Sequence, residues 1–132
     1  INHCTTIYLK KGLAINHLAI IGSGDVIQDI LDDFIVKLEL KPSTSSQLRL
    51  HFEKKYKVKM DDYSGYKSAI EITIPVLVIH DKNDTEVSVE AAIHIHKHLK
   101  NGELFLTEGL GHRKILGNSE VIEKVVRFIN RT

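Results

Sequence analysis

The sequence predicts an α/β protein with a partial parallel sheet of about three strands and an inserted helical cap. Short apolar runs alternate with amphipathic helical patterns, as expected where helices cover both faces of a parallel sheet. Helical patterns between about 25 and 70 interrupt this alternation, and the 132 residues are enough for one sizeable core. We therefore predict a single domain over residues 1–132 with the cap at about 25–70.

The first half of the chain contains one strand and several helices. Residues 1–11 have the pattern of a helix that ends at Gly12, and residues 15–22 form an apolar strand closed by a Gly-Ser-Gly turn. Asp25 and Gln28 have the spacing of a capping box, which predicts that a helix begins there. The apolar face of that helix comprises Val26, Ile27, Ile30, Leu31, Phe34, Ile35 and Leu38.

A break at Pro42 separates this helix from a second one, and "MDDYSGYKSA" predicts a turn and a short third helix. The second half resumes the alternation with an apolar strand over Val76–Ile79 and a helix that Ser88 caps. The strand "ELFLT" and a glycine loop over 109–111 follow. A closing helix has an apolar face made of Val121, Ile122, Val125, Val126 and Ile129.

The composition is that of an ordinary globular protein, with 42% hydrophobic residues and a formal net charge of +1. So balanced a charge gives no reason to expect a nucleic acid or an anionic membrane as a partner. No apolar run approaches the ~20 residues of a membrane span. The single cysteine, Cys4, cannot form an internal disulfide, which favours a reducing compartment, and we predict a cytoplasmic protein.

An acid and a histidine follow two successive strands of the predicted sheet. Asp84 comes just after one strand in "HDKND", and His112 comes just after the next in "EGLGH". Ligands of open parallel sheets bind beyond the carboxyl ends of the strands. A carboxylate that accepts the proton of one ring nitrogen leaves the other nitrogen free as a general base. Asp81 ranks second as the acid, because its place directly after the strand suits hydrogen bonds to loop backbone.

The run "IPVLVIHDKNDTEV", an amphipathic helix, "LFLTEGLGHRKIL" and a terminal helix together resemble the C-terminal half of an α/β-hydrolase. The resemblance extends from about Gly12 onward and implies that Asp84 is the acid and His112 the base of a catalytic triad. It also implies a serine hydrolase acting on carboxylic esters or related small acyl substrates. No cofactor and no metal are implied. The segment at about 25–70 matches the place where members of this family insert a helical lid.

The sequence contains no G-x-S-x-G motif, on which the family carries its nucleophile. The helix at 1–11 fits the position after that motif, so we expect the serine about one or two residues before Ile1. The chain then reads as a truncated hydrolase domain that is inactive alone. Within the chain, Cys4 in "NHCTT" is a weak substitute, because bulkier residues fill both glycine positions. Ser23 is better explained by a turn or a cap.

A different class of function stays open, namely a non-catalytic binding or structural module that retains hydrolase architecture. In either case the strand at 15–22 would have an open edge, and we expect a homo-oligomer formed through it.

Several histidines and lysines invite other interpretations. His80, at a strand end, is interpreted as a packing residue. In "HIHKH" only His94 and His98 would share a helix face, with no carboxylate at matching spacing, so we predict no metal site there. The basic stretch "FEKKYKVK" is short and is interpreted as a solvated helix face.

Overall fold

The structure, a computed structural model, describes residues 8–131, and three strands and six α-helices lie between residues 18 and 129. Residues 8–10 are helical, whereas the rest of the helix predicted at 1–11 lies outside the described residues, as does Cys4. The first half contains β1 (Leu18–Ile21), α1 (Ile27–Lys37), α2 (Ser43–Tyr56), a 3-10 helix (Met60–Tyr63) and α3 (Gly65–Glu71). The second half contains β2 (Val76–Asp81), α4 (Val89–His98), β3 (Gly102–Thr107), α5 (Gly111–Lys114), a 3-10 turn (Ile115–Gly117) and α6 (Ser119–Ile129).

The strands form one parallel sheet in the order β1-β2-β3, which confirms the predicted fold class. All six residues of the central strand β2 are buried, because it has a neighbour on each side and helices on both faces. Its side chains alternate between the two halves of the core. Val76 and Val78 pack with the α4 residue Ile95, and Leu77 and Ile79 pack with the α6 residue Phe128.

The segment between β1 and β2 is helical as predicted, but its first helix buries much less than its pattern indicates. Ile35 is the buried residue of α1, whereas Phe34 is 51% exposed and Leu38 is half exposed. The cause is that α1 packs chiefly on α2 and the 3-10 helix, rather than on the sheet. The periodicity therefore located the helix correctly but overestimated the apolar surface that it covers.

The capping box predicted at the start of α1 is wrong. The N-cap residue is Val26, which has no side-chain cap, and the carboxylate of Asp25 accepts a hydrogen bond from the backbone N–H of Tyr66 at 2.6 Å. The carbonyl of Asp25 accepts another from Gly65 N at 2.9 Å. Asp25 thus joins the two ends of the helical segment instead of capping its first helix.

The caps of the later helices set their positions. The hydroxyl of Ser88 accepts a hydrogen bond from Glu90 N, which confirms it as the cap of α4. Asn118 caps α6, whose buried residues are Val121 and Phe128. The predicted apolar face of α6 is only partly right, because Ile122, Val126 and Ile129 are about half exposed. Within residues 8–131, none of the helices combines the length and apolarity needed to cross a membrane.

Candidate active site

The carboxyl ends of β2 and β3 bring the predicted acid and histidine together. The two strands stay in register to their last residues, so that Asp81 lies beside Thr107. Asp84 follows β2 in a tight turn, and His112 is the second residue of the short helix α5 that follows β3. Because parallel strands end at the same edge of a sheet, both side chains lie above that edge.

The imidazole of His112 meets the carboxylate of Asp84, with 2.8 Å between Nδ1 and Oδ2. The side chain of Asp84 is 1% exposed, whereas that of His112 is 31% exposed. A carboxylate only accepts hydrogen bonds, so Nδ1 carries the proton and the lone pair of the neutral ring lies on Nε2. A buried acid therefore orients a ring that solvent, and hence a substrate, can reach.

The second oxygen of Asp84 is held by the backbone of its own turn. Oδ1 accepts hydrogen bonds from Glu86 N at 2.8 Å and from Val87 N at 2.9 Å. Burial disfavours the charged form, but these N–H groups and the contact with His112 outweigh it and lower the pKa of Asp84 below its usual value. The group is therefore an ionised carboxylate at neutral pH, as a partner of an imidazole must be.

Asp81, which ranked second as the acid, organises the loop instead. Its Oδ2 accepts hydrogen bonds from the Thr107 hydroxyl at 2.7 Å and from Leu110 N at 3.0 Å, and Oδ1 accepts one from Asn83 N at 2.9 Å. Burial raises the pKa of Asp81, but these hydrogen bonds and one from Gly111 N lower it to about 2. Asp81 thus fixes the loop that carries His112, in agreement with the prediction of backbone hydrogen bonds.

Gly22, at the end of β1, is a site residue that the sequence analysis missed. Its φ is +60°, and a Cβ at this position would lie 3.3 Å from Cε1 of His112 and 3.4 Å from Nδ1. The turn of β1 therefore forms one wall against the imidazole, and only glycine lets the backbone approach so closely in this conformation. The signal available in the sequence was a glycine directly after an apolar strand.

His80 is fully buried, as its interpretation as a packing residue requires, but it also belongs to the site. Its Nε2 lies 3.0 Å from the carbonyl oxygen of Val87 and 3.4 Å from Oδ2 of Asp84. The imidazole of His80 therefore approaches Oδ2 of Asp84 from the buried side, whereas the imidazole of His112 approaches the same oxygen from the side nearer to solvent. Nothing in the local pattern distinguishes it from a buried packing histidine.

Ser23 lies in the turn after Gly22, where its hydroxyl donates to the carbonyl of Gly24 at 3.0 Å. This contact confirms the interpretation as a turn residue.

A second carboxylate–imidazole pair lies at the ends of the helical segment. Oδ2 of Asp25 contacts Nδ1 of His94, and the carboxylate is buried while the imidazole is 44% exposed. The ring of His94 also packs on Tyr66 at 5.1 Å and on His98 at 4.6 Å between centroids. Within residues 8–131, no three histidine, cysteine or acidic side chains converge as they would around a metal ion.

A cleft of about 940 Å³ separates α1 from α4 and from the turn that carries Asp84. It is open on one side and combines apolar and acidic walls. Its lining includes Ile30 and Asp33 of α1, Asp84 and Val87 of the turn, and Ile93 and His94 of α4. A small molecule with an apolar part could therefore lie next to the acid turn.

Comparison with known proteins agrees with the fold. A sequence profile of the family described as TAP-like protein matches residues 54–131, which include Asp84 and His112. No curated protein sequence matches the chain.

Solved structures with a similar fold include an α/β hydrolase, a putative bromoperoxidase and an esterase. An α/β hydrolase from a Medee basin deep-sea metagenome, MGS-M2, is 15% identical with a TM-score of 0.65, covering 99% of this chain and 62% of its own. The putative non-heme bromoperoxidase BpoC of Mycobacterium tuberculosis is 13% identical (TM-score 0.62, coverage 96% and 62%). The Pyrococcus furiosus esterase PF2001 is 18% identical (TM-score 0.57, coverage 98% and 51%). The chain thus spans between about half and three-fifths of these structures.

Proposed function

The chain belongs to the TAP-like family of α/β hydrolases, and from this premise we propose that it supplies the acid and the base of a serine-hydrolase site. The proposed substrates are carboxylic esters or related small acyl compounds. The fold match to an esterase supports this class of reaction. In this proposal the protein works in the cytoplasm, where a lone cysteine such as Cys4 stays reduced.

One observation carries the proposal, namely the 2.8 Å contact between the buried carboxylate of Asp84 and the partly exposed imidazole of His112. The contact places the proton on Nδ1, and Nε2 can then accept a proton from a hydroxyl. The backbone N–H groups on Asp84 keep the acid ionised, so that it stabilises the imidazolium when that forms.

The proposed reaction proceeds in two halves. Nε2 of His112 takes the proton of a serine hydroxyl as its oxygen attacks the acyl carbon, and the imidazolium then gives that proton to the leaving alcohol. Water next donates a proton to Nε2 while its oxygen attacks the acyl-enzyme, and the proton returns to the serine as the carboxylic acid leaves. Asp84 stays ionised throughout. We propose that the cleft between α1 and the acid turn accommodates part of the substrate.

The nucleophile is the element that the 132 residues do not provide in recognisable form. They contain no G-x-S-x-G motif, and the hydroxyl of Ser23 is engaged by its neighbour's carbonyl. In this proposal the serine is encoded upstream of Ile1. A gene in which no such motif precedes Ile1 would instead support the alternative, a non-catalytic binding or structural module.

The test is hydrolysis of p-nitrophenyl acetate by two proteins, the 132-residue chain and a chain extended upstream to include the encoded motif. We expect the extended chain to hydrolyse the ester and its His112→Ala variant to lose this activity. The short chain should show no hydrolysis above that of its own His112→Ala variant. Robust hydrolysis by the short chain that depends on His112 would refute the assignment of the nucleophile, and an inactive extended chain would refute the enzymatic proposal.

We further propose that the 132-residue chain forms homo-oligomers through the free edge of β1. Among the described residues, β1 pairs with β2 alone. Leu18 N donates to the carbonyl of Pro75, just before β2, and Gly22 N donates to that of Ile79, so the alternate N–H of Ala19 points outward. An Ala19→Pro substitution removes that donor and keeps the pairing with β2. We expect light scattering to show a mass that rises with concentration in the wild type and stays monomeric in Ala19→Pro, and a monomeric wild type would contradict the proposal.

A further inference from the structure

The imidazole of His80 lies where packing alone does not explain it. It is the fifth residue of β2, its side chain is fully buried, and it points to the same face of the sheet as Val76 and Val78. Val76 and Val78 are purely apolar and pack with Ile95 of α4. A polar ring in this layer loses its hydration, which costs free energy unless its nitrogens find partners.

The partners of His80 define its tautomer. A carbonyl oxygen only accepts hydrogen bonds, so Nε2 must carry the proton that it donates to Val87 O at 3.0 Å. Nδ1 is then a bare lone pair, and it has no hydrogen-bond partner in the described part of the chain. An apolar side chain of similar size would avoid that cost. The stabilising interaction that His80 makes is therefore on the Nε2 side, toward the acid turn.

The Nε2–H group of His80 acts on Asp84 in two ways. It fixes the carbonyl of Val87, the residue whose own N–H holds Oδ1 of Asp84 at 2.9 Å. It also lies 3.4 Å from Oδ2 of Asp84, the oxygen that His112 contacts at 2.8 Å. One carboxylate oxygen thus lies between two imidazoles, one buried and one partly exposed.

We infer that His80 is a positioning residue that keeps the Asp84 carboxylate turned toward His112, and so keeps the ring of His112 in its Nδ1–H tautomer. The inference rests on the proposed function for its importance, because only Nε2 of that tautomer can accept a proton from a hydroxyl. Without the N–H of His80, the turn at 84–87 loses the hydrogen bond to the carbonyl of Val87, and the carboxylate of Asp84 can rotate away from His112. The neutral ring of His112 then has no reason to keep its proton on Nδ1.

The test measures the tautomer of His112 directly, by ¹⁵N NMR shifts of the ring nitrogens in the neutral form of the 132-residue chain. His80→Leu removes the N–H at similar volume. His80→Gln keeps an N–H at the position of Nε2, whereas His80→Asn places its N–H at the position of Nδ1, too short to reach Val87. An exposed histidine of α2 offers a matched control in His51→Gln.

We expect a mainly Nδ1–H ring in the wild type, in His80→Gln and in His51→Gln, and a shift to mainly Nε2–H in His80→Leu and His80→Asn. Asp84→Ala should give the same shift. If His80→Leu does not fold, the comparison between the His80→Gln and His80→Asn variants tests the inference instead. The inference is overturned if the tautomer of His112 is unchanged in a folded His80→Leu or His80→Asn variant. It is also overturned if His80→Gln shifts the tautomer of His112 as much as His80→Asn does.

The tautomer requires no turnover, so the two proposals can fail separately. An extended chain that does not hydrolyse esters, although the tautomer responds as expected, refutes the proposed function and leaves the role of His80 intact. A wild-type ring that is mainly Nε2–H refutes the pairing of Asp84 with His112, and the role of His80 with it.

Discussion

Within residues 8–131, Asp84 with His112 and Asp25 with His94 form carboxylate–imidazole pairs through the Nδ1 atom of a partly exposed ring, and these two pairs are alike in local chemistry. In each, a buried aspartate contacts Nδ1 of a histidine that is 31% exposed for His112 and 44% exposed for His94. They differ in what surrounds them. His112 follows a strand end and faces the glycine turn of β1, whereas His94 lies on α4 between the rings of Tyr66 and His98.

The acids of the two pairs also hold different parts of the backbone. Oδ1 of Asp84 binds N–H groups two and three residues ahead, so it stabilises only its own turn. Oδ1 of Asp25 binds the N–H of Tyr66, 41 residues away, so it joins the two ends of the helical segment. The comparison shows that an Asp–His contact alone does not indicate a catalytic pair. The contact becomes a candidate for catalysis when the fold places the histidine ring where a ligand would bind, as at the carboxyl ends of parallel strands.

The largest expected effect separates the two pairs by activity. In the extended chain, Asp84→Asn should lower kcat/KM for p-nitrophenyl acetate by roughly 10⁴-fold, because the amide favours the wrong tautomer of His112. Asp25→Asn should lower kcat/KM by no more than about tenfold, since Asp25 borders the cleft proposed for the substrate but holds Tyr66 and His94 rather than His112. Steady-state kinetics measure both. Equal losses of kcat/KM in Asp84→Asn and Asp25→Asn would contradict the assignment of different roles to the two pairs.

The structural role of Asp25 can be tested by comparing its effect on stability with that of Asp29, a neighbouring acid in α1. Asp25→Ala leaves the N–H of Tyr66 without its acceptor and should lower the free energy of unfolding by about 1–3 kcal/mol. Asp29→Ala, at an exposed position in the first turn of α1, should cost less than about 1 kcal/mol. Urea denaturation measures both values. Equal costs would show that Asp25 does not join the ends of the segment.

The first pair was predictable from the sequence and the second was not, for a physical reason. Asp84 and His112 follow successive strands, and the parallel sheet that the apolar runs predict places strand ends side by side. Asp25 has a local pattern that fits a capping box equally well, and its real partners lie 41 and 69 residues ahead. Local spacing cannot choose between a near and a distant partner.

Contacts between residues far apart in the chain also explain why the role of Gly22 and the buried face of α6 were not predicted. The contact of Gly22 with His112 joins residues far apart in the chain, although the turn itself was evident. In α6, periodicity alone did not select Phe128 for burial; its ring meets His17 edge-on at 5.3 Å between centroids. Helix existence follows from local pattern, whereas the buried face depends on what the helix meets.

Acidification should weaken the loop that carries His112, because Asp81 holds this loop in its ionised form. The pKa of Asp81 falls from 3.8 to about 2 on folding, so the ionised group contributes stability above pH 3.8 that is lost as the pH falls through about 2. A shift of this size corresponds to roughly 2 kcal/mol. The stability difference between wild type and Asp81→Asn, measured by urea midpoints, should therefore shrink between pH 4 and pH 2. A constant difference would contradict this prediction.

The smallest expected effect concerns the wall against His112. Gly22→Ala and Gly12→Ala both place a side chain at positive φ, +60° and +78°, and each should cost about 1 kcal/mol of stability. Only the first also places a methyl group 3.3 Å from Cε1 of His112, whereas Gly12 has open space. We expect roughly a tenfold lower kcat/KM in the extended Gly22→Ala chain, less than a displacement of a full ångström would cause. Equal activity in both variants would exclude Gly22 from the site.

The central claim is that Asp84 and His112 act as one unit, and a double-mutant cycle on the extended chain tests it most directly. The measurement is kcat/KM for p-nitrophenyl acetate in Asp84→Asn, His112→Ala and the combined variant. If the two residues act as one unit, adding Asp84→Asn to His112→Ala lowers kcat/KM hardly further than His112→Ala alone does. If the losses multiply instead, the two side chains act independently, and their contact at 2.8 Å is not the acid–base pair of this protein.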